Sequence, residues 1–256
     1  MTVSRETVER LATSSGLPRA PSPRLAAVAA DHGLAEEQAE ALARLLAALA
    51  AEPAPPTTVA DPSSAVDVHI ADSLSGLAVP AVATARTVAD IGAGAGFPGL
   101  PLAVALPSAR IDLVESTGRK CEVIDRLAAA AGIANAGARN SRAEELAADR
   151  RGAYDVVTAR ALAPLAVLAE YAAPLLRDGG SLVAWKGRLD PAEVADATAA
   201  AELLGLAAPE LTPVRPFAAA RDRVLVAMRK IAPTPERFPR RPGVAAKRPL
   251  VRSVRP

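Results

Sequence analysis

The sequence predicts an α/β fold: a doubly wound, mostly parallel sheet of seven strands, with helices on both faces and a helical extension in front. From about residue 86, short apolar segments alternate with helical ones, and strands separated by helices form a parallel sheet covered on both sides. A glycine-rich loop directly follows the first strand, as in sheets that bind nucleotides. The last two strands lie close enough in the chain to pair antiparallel.

The first 80 residues are predicted to precede the sheet. Residues 1–30 contain scattered prolines and few periodic apolar positions, so we expect a poorly ordered N-terminus. Residues 31–80 are expected to form the helical extension, with one helix over 34–51 and another over 66–77. The first of these helices has one apolar face, formed by Leu42, Leu45, Leu46 and Leu49.

Residues 81–231 are predicted to form the main domain. Helices are expected from about residue 100, from a cap at Ser116 or Thr117 to a stop at Gly132, and from Asp190–Pro191. The pair Gly179–Gly180 is predicted to be a turn before the fifth strand. The strands are expected over residues 87–91, 110–115, 137–140, 154–158, 181–185, 210–214 and 223–228.

Residues 232–256 are predicted to form a basic tail that is too rich in proline to pack as a core element. From Arg229 to Pro256 nine cations face one anion, a charge of +8, which leaves −6 on the rest of a chain of net charge +2. A basic arm on a mildly acidic body favours a nucleic-acid partner. A solvated tail that binds nothing accounts for the same charge equally well.

Composition excludes several other classes of protein. Only 2% of the residues are aromatic although half are apolar, so the core must consist of alanine, valine and leucine. No apolar run is long enough to span a bilayer and the N-terminus lacks a signal-peptide pattern, so no membrane partner is expected. The single cysteine, Cys121, rules out an internal disulfide and fits the cytoplasm. Without a Cys/His cluster, no metal site is expected.

The most informative stretch is the loop that follows the first strand. Gly92, Gly94 and Gly96 let the backbone approach a nucleotide closely, and the next helix offers free amides. Glu115 ends the second strand about 20 residues farther on, where a carboxylate can accept hydrogen bonds from ribose hydroxyls. The sequence therefore predicts a nucleoside-containing cofactor at this loop.

Two cofactor classes fit the loop. The spacing Gly94-x-Gly96-x-x-Gly99 satisfies the dinucleotide pattern of dehydrogenases. Asp90, however, stands two residues before Gly92, where dinucleotide sites usually carry an apolar residue and methyltransferases commonly carry an acid. This acid and the antiparallel last strands favour a methyl donor, with the dinucleotide as the alternative.

Further candidates lie at the ends of later strands. Arg160 and Lys186 follow the fourth and fifth strands, at the edge where open parallel sheets bind ligands, so both are candidates for positioning substrate or phosphate. Ser141 and Glu144 follow the third strand and form either a capping box or part of an adenine site. Three other polar residues are expected to be structural: His69, Cys121 and Asp155.

The chain resembles the ribosomal RNA small subunit methyltransferase G family, also called the glucose-inhibited division protein B family. The resemblance covers about residues 60–250, including the C-terminal extension that some members carry. One departure is the run Ala54-Pro-Pro-Thr-Thr-Val59, where the family usually has an aromatic residue and Asn-Leu-Thr. Six motifs in one register carry the resemblance: His69-Ile-Ala-Asp-Ser-Leu74, Asp90-Ile-Gly-Ala-Gly-Ala-Gly-Phe-Pro-Gly-Leu-Pro101, Glu115-Ser-Thr-Gly-Arg-Lys120, Arg142-Ala-Glu144, Asp155-Val-Val-Thr-Ala-Arg160 and Trp185-Lys-Gly187.

The resemblance implies a class I methyltransferase fold and a specific reaction. Members of the family transfer a methyl group from S-adenosylmethionine to N7 of a guanine in 16S ribosomal RNA, which argues against the dinucleotide. Two other functions remain as alternatives: a methyltransferase for a small molecule, and a non-catalytic RNA-binding protein with the same fold. Carried over by motif, the cofactor contacts would be Gly92, Phe97, Ala143, Glu144 and Arg160, with Glu115 at the ribose.

Overall fold

A seven-stranded sheet forms the centre of the computed structural model, which describes residues 20–59 and 62–250. The strands lie in the order β3-β2-β1-β4-β5-β7-β6, and β7 runs antiparallel to both of its neighbours while the other pairs are parallel. This order confirms the predicted doubly wound sheet of class I methyltransferases. The strands are β1 Thr87–Ile91, β2 Arg110–Glu115, β3 Ala136–Asn140, β4 Tyr154–Arg160, β5 Leu176–Lys186, β6 Glu210–Val214 and β7 Arg223–Arg229.

Helices cover both faces of this sheet. Consecutive residues of one strand, such as Val156 and Val157, belong to different apolar clusters, because successive side chains of a strand point to opposite faces. Within the ranges that the structure describes, no helix is long and apolar enough to cross a membrane. The helices of the sheet region are α1 Gly99–Ala105, α2 Gly118–Ala131, α3 Ala143–Asp149, α4 Leu165–Ala172, α5 Pro191–Leu204 and α6 Val244–Lys247.

The helical extension begins earlier than the sequence predicts. A helix over Pro23–Asp31 lies almost entirely in the range 1–30 that was expected to be poorly ordered, and it buries Leu25 and Val28 in the core. The hydroxyl of Ser22 caps it by accepting a hydrogen bond from the Leu25 amide. The predicted disorder is therefore wrong for this helix, and residues 1–19 lie outside the described part.

The rest of the extension confirms the two predicted helices. The first spans Glu36–Ala51 and buries Leu42, Leu45 and Leu49 of its leucine face, while Leu46 is half-buried. The second is part of a longer helical run from Pro62 to Ala78, which contains a π-helical turn over Val66–Ala71 and a 3-10 turn over Ser75–Ala78. This run carries His69 and Asp72 toward the edge of the sheet.

The fifth strand differs from its prediction. It starts at Leu176, not at residue 181, and the glycine pair predicted to be a turn lies inside it. Tyr154 pairs with Leu176 and Val156 with Ser181, so β5 carries extra residues that form a bulge. A Cβ on Gly180 would lie 2.8 Å from the carbonyl oxygen of Asp155, which explains a glycine in this close approach.

The proline-rich segment after Ile231 packs against the domain, contrary to the prediction. Phe238 and Ala245 are 4% and 2% exposed and belong to the core. The guanidinium of Arg151 donates hydrogen bonds to the carbonyl oxygens of Thr234 and Phe238, both at 2.8 Å. These bonds satisfy backbone carbonyl groups in a segment that forms no strand ladder. Residues 251–256 lie outside the described part.

Candidate functional site

A cavity of about 530 Å³ opens at the carboxyl ends of β1, β2 and β4. It lies where the strand order reverses, between β1 and β4, which is the place where doubly wound sheets bind their ligands. Its volume falls within the range of small-molecule sites. The loop after β1 forms one wall, and the ends of β2 and β4 and the start of α3 form others.

Asp90, near the end of β1, holds this loop against the sheet through hydrogen bonds. Its carboxylate accepts hydrogen bonds from the Gly99 amide and from the Thr158 hydroxyl, both at 2.9 Å. Burial raises its pKa to about 6, although these two bonds and the positive charge of Arg160 oppose the rise. The acid that favoured a methyl donor in the sequence is thus a buried support of the loop.

The glycines of the loop have different structural roles. Gly92 and Gly94 line the cavity and have positive φ angles of +67° and +59°. A Cβ on Gly94 would meet only the Gly92 carbonyl oxygen, at 3.9 Å, so that side of Gly94 is open. A Cβ on Gly96 would instead lie 2.5 Å from the side chain of Leu100, so Gly96 serves the packing of the loop on α1.

Glu115 lies next to Gly94 in the cavity wall. Its Oε2 accepts a hydrogen bond from the Gly94 amide at 3.2 Å, and its Oε1 accepts one from the Thr117 amide at 2.9 Å. Lys120 lies 3.9 Å from the same carboxylate. Each carboxylate oxygen has a further lone pair, so the fixed side chain can accept hydrogen bonds from a ligand hydroxyl.

Glu144 borders the cavity at the start of α3. The predicted capping box of Ser141 and Glu144 is wrong, because the helix starts at Ala143 and the Arg142 amide donates to Glu145 at 3.1 Å. This leaves the Glu144 carboxylate free of the helix end. Its Oε1 accepts a hydrogen bond from the amide of Gly243 at 2.9 Å.

Phe97, His69 and Arg160 form the opposite end of the cavity. The rings of Phe97 and His69 stack with centroids 4.5 Å apart, and the guanidinium of Arg160 lies 5.8 Å from the Phe97 centroid. Burial, followed by the charge of Arg160, lowers the pKa of His69 to about 4, so its imidazole is neutral at pH 7. His69, predicted to be structural, lies in the cavity wall, and its role there stays a prediction.

Asp72 fastens the helical extension to this end of the sheet. Its carboxylate lies 3.1 Å from the Arg160 guanidinium and 3.3 Å from that of Arg223. The indole of Trp185 donates a hydrogen bond to the Asp72 carbonyl oxygen at 2.7 Å. The sequence holds His69 and Asp72 in one motif, but only the fold shows that they meet the ends of β4, β5 and β7.

Three other residues from the sequence lie away from the cavity wall that the structure describes. Lys186 pairs with Glu193 at 2.7 Å, so its role toward substrate stays a prediction. Cys121 is buried against the carbonyl oxygen of Glu115, and Asp155 accepts hydrogen bonds from the amides of Arg86 and Thr87. Both are structural, as predicted.

The family model and the curated relatives that match the sequence agree on one family. A family model described as rRNA small subunit methyltransferase G matches residues 36–215. The chain is 42% identical over 196 residues to the ribosomal RNA small subunit methyltransferase G of Chloroflexus aggregans, an alignment that covers 76% of this chain and 82% of that protein. It is 41% identical over 198 residues to the protein of the same name from Rubrobacter xylanophilus, covering 74% and 75%. With this family match over more than half of its length, the chain belongs to the rRNA small subunit methyltransferase G family.

Proposed function

We propose that this protein transfers a methyl group from S-adenosylmethionine to N7 of a guanine in 16S ribosomal RNA. The observation that carries the proposal is the cavity wall in which Gly94, open beside its missing Cβ, donates its amide to the fixed carboxylate of Glu115, in a chain of this family. A ribosomal RNA substrate places the protein in the cytoplasm, free or on the small ribosomal subunit.

The residues around the cavity fit S-adenosylmethionine along its length. Glu115 would accept hydrogen bonds from the ribose hydroxyls, and Ala143 and Glu144 would border the adenine. Gly92, Phe97 and Arg160 would hold the methionine portion, where the Arg160 guanidinium matches a carboxylate. When bound, the cofactor supplies a methyl group on a positively charged sulfur.

The chemistry asks for positioning more than for acid–base catalysis. Guanine N7 has an in-plane lone pair and no proton to lose, so in-line transfer requires that donor and acceptor be held in the right geometry. The neutral ring of His69 agrees with this, because no base is needed. Lys186 ends β5 and Arg223 begins β7, so both lie at the same edge of the sheet, where they can contact RNA phosphates.

Transfer of tritium from methyl-labelled S-adenosylmethionine to small ribosomal subunits tests the function. We expect label in 16S ribosomal RNA, recovered as 7-methylguanosine after digestion to nucleosides, from subunits isolated from a strain that lacks this modification. Fully modified subunits serve as the control and should stay unlabelled. Label that appears only in a small molecule would favour the small-molecule alternative, and RNA binding without any transfer would favour the non-catalytic one.

A further inference from the structure

The segment from residue 232 to 250, here called the C-terminal segment, reaches the wall of the cofactor cavity. It lies beyond residues 36–215, the part of the chain that the family model matches. The segment contributes no residue to the cavity wall within the described part of the chain. It does contact Glu144, which lines the cavity, and Glu170, the neighbour of the lining residue Tyr171.

An ion pair anchors this segment to α4. Arg240 donates hydrogen bonds to Glu170 from its amide at 3.1 Å and from its guanidinium Nε at 2.8 Å and Nη2 at 2.5 Å. Glu170 is 1% exposed, so its charge is almost entirely removed from water. Removing the partner of such a buried carboxylate would destabilise the fold, because an unpaired buried charge is costly. The anchor therefore fixes where the segment passes the cavity.

Three residues after the anchor, the amide of Gly243 donates the hydrogen bond that fixes the Glu144 carboxylate. Gly243 has a φ of +79°, and a Cβ on it would meet nothing within 4 Å. Its conformation thus directs the amide at Glu144 without crowding. Since only Oε1 of Glu144 takes this bond, Oε2 is left to accept one from a ligand.

We propose that Gly243 and Arg240 are positioning residues for cofactor binding, which act by holding the Glu144 carboxylate in place at the adenine end of the cavity. This inference rests on the proposed function, because it requires that Glu144 contact the bound S-adenosylmethionine. It gives the C-terminal segment a role in cofactor affinity that is separate from any contact of its cations with RNA.

A double-mutant cycle in the full-length protein tests the inference, with the dissociation constant of S-adenosylmethionine measured by calorimetry without RNA. Gly243→Pro removes the amide hydrogen and, because proline cannot adopt a φ of +79°, also moves the backbone, so we expect it to weaken binding at least about threefold. In the Glu144→Ala background the same change should have no further effect, because the residue through which it acts is gone. Gly243→Asn keeps the amide and tolerates positive φ, so it should bind within about twofold of wild type.

A second variant guards against a proline that disturbs the fold. Arg240→Gln loosens the anchor while the Gly243 amide stays intact, and we expect it to weaken binding in the Glu144 protein but not in the Glu144→Ala protein. Equal losses in both backgrounds, or a loss with Gly243→Asn as large as with proline, would overturn the inference. So would unchanged binding by Glu144→Ala. Wild-type protein that fails to bind S-adenosylmethionine would instead overturn the proposed function.

Discussion

The Gly94→Val protein should fold and bind S-adenosylmethionine at least about 100-fold more weakly than wild type, a loss of about 2.7 kcal/mol or more. Gly94 has a φ of +59° and lines the cavity, and the space beside its missing Cβ is open to a ligand. A branched side chain would occupy the place where the backbone meets the cofactor. It would also displace the amide that donates to Glu115.

Gly152→Val provides the matched control for this substitution. Gly152 has a φ of +66° and nothing within 4 Å of a built Cβ, where Gly94 has one backbone oxygen at 3.9 Å, but Gly152 does not line the cavity. Valine at either position carries the same backbone strain, about 1–2 kcal/mol of stability. We expect the two proteins to melt at similarly lowered temperatures while only Gly94→Val loses cofactor binding in calorimetry. Normal binding by Gly94→Val would show that the cofactor lies elsewhere.

Folding stability should fall by about 2 kcal/mol between pH 4 and pH 6 because of Asp90 alone. Its pKa is about 6 in the folded protein, raised mainly by burial, against 3.8 for an ordinary aspartate. Between these values the folded state keeps the proton and the unfolded state loses it, so each pH unit costs about 1.4 kcal/mol. The contribution is fully present below pH 3.8 and is lost as the pH rises through 6.

Urea denaturation of wild type and Asp90→Asn at several pH values measures this contribution. Because asparagine does not ionise, the wild-type advantage in unfolding free energy should shrink by about 2 kcal/mol from pH 4 to pH 7. Asp155→Asn is the control. Burial opposes ionisation of Asp155, but hydrogen bonds from Arg177 and two amides outweigh it and lower the pKa. The difference in unfolding free energy between wild type and Asp155→Asn should therefore not shrink over this pH range. A constant difference for Asp90→Asn would mean that Asp90 is ionised throughout.

The sequence predicts the parts of the site that are local in the chain. Gly92 and Gly94 follow a strand, and Glu115 ends the next one, so parallel pairing of β1 and β2 suffices to bring them together. His69 shows the limit of this reasoning. It lies on a helix before the sheet, and that helix is held at the cavity by contacts such as the one between Asp72 and Arg160, 88 residues farther along the chain.

The C-terminal segment shows a second limit. Its prolines predict a segment that does not pack as a core element, and they say nothing about the partners that its backbone and side chains find. Those partners, Arg151 and Glu170, lie more than 60 residues earlier, in a turn and a helix. The sequence around these two residues does not predict such a contact. Glycine pairs carry a similar ambiguity, because Gly179–Gly180 suits a turn and a bulged strand equally well.

A crystal structure of the protein with bound S-adenosylmethionine tests the central claim most directly. The claim is that the cavity at the ends of β1, β2 and β4 holds the cofactor. We predict density in that cavity with the ribose hydroxyls within hydrogen-bond distance of Glu115, the adenine beside Ala143 and Glu144, and the methionine carboxylate near Arg160. Cofactor bound at another place, or bound there with its ribose away from Glu115, would contradict the account.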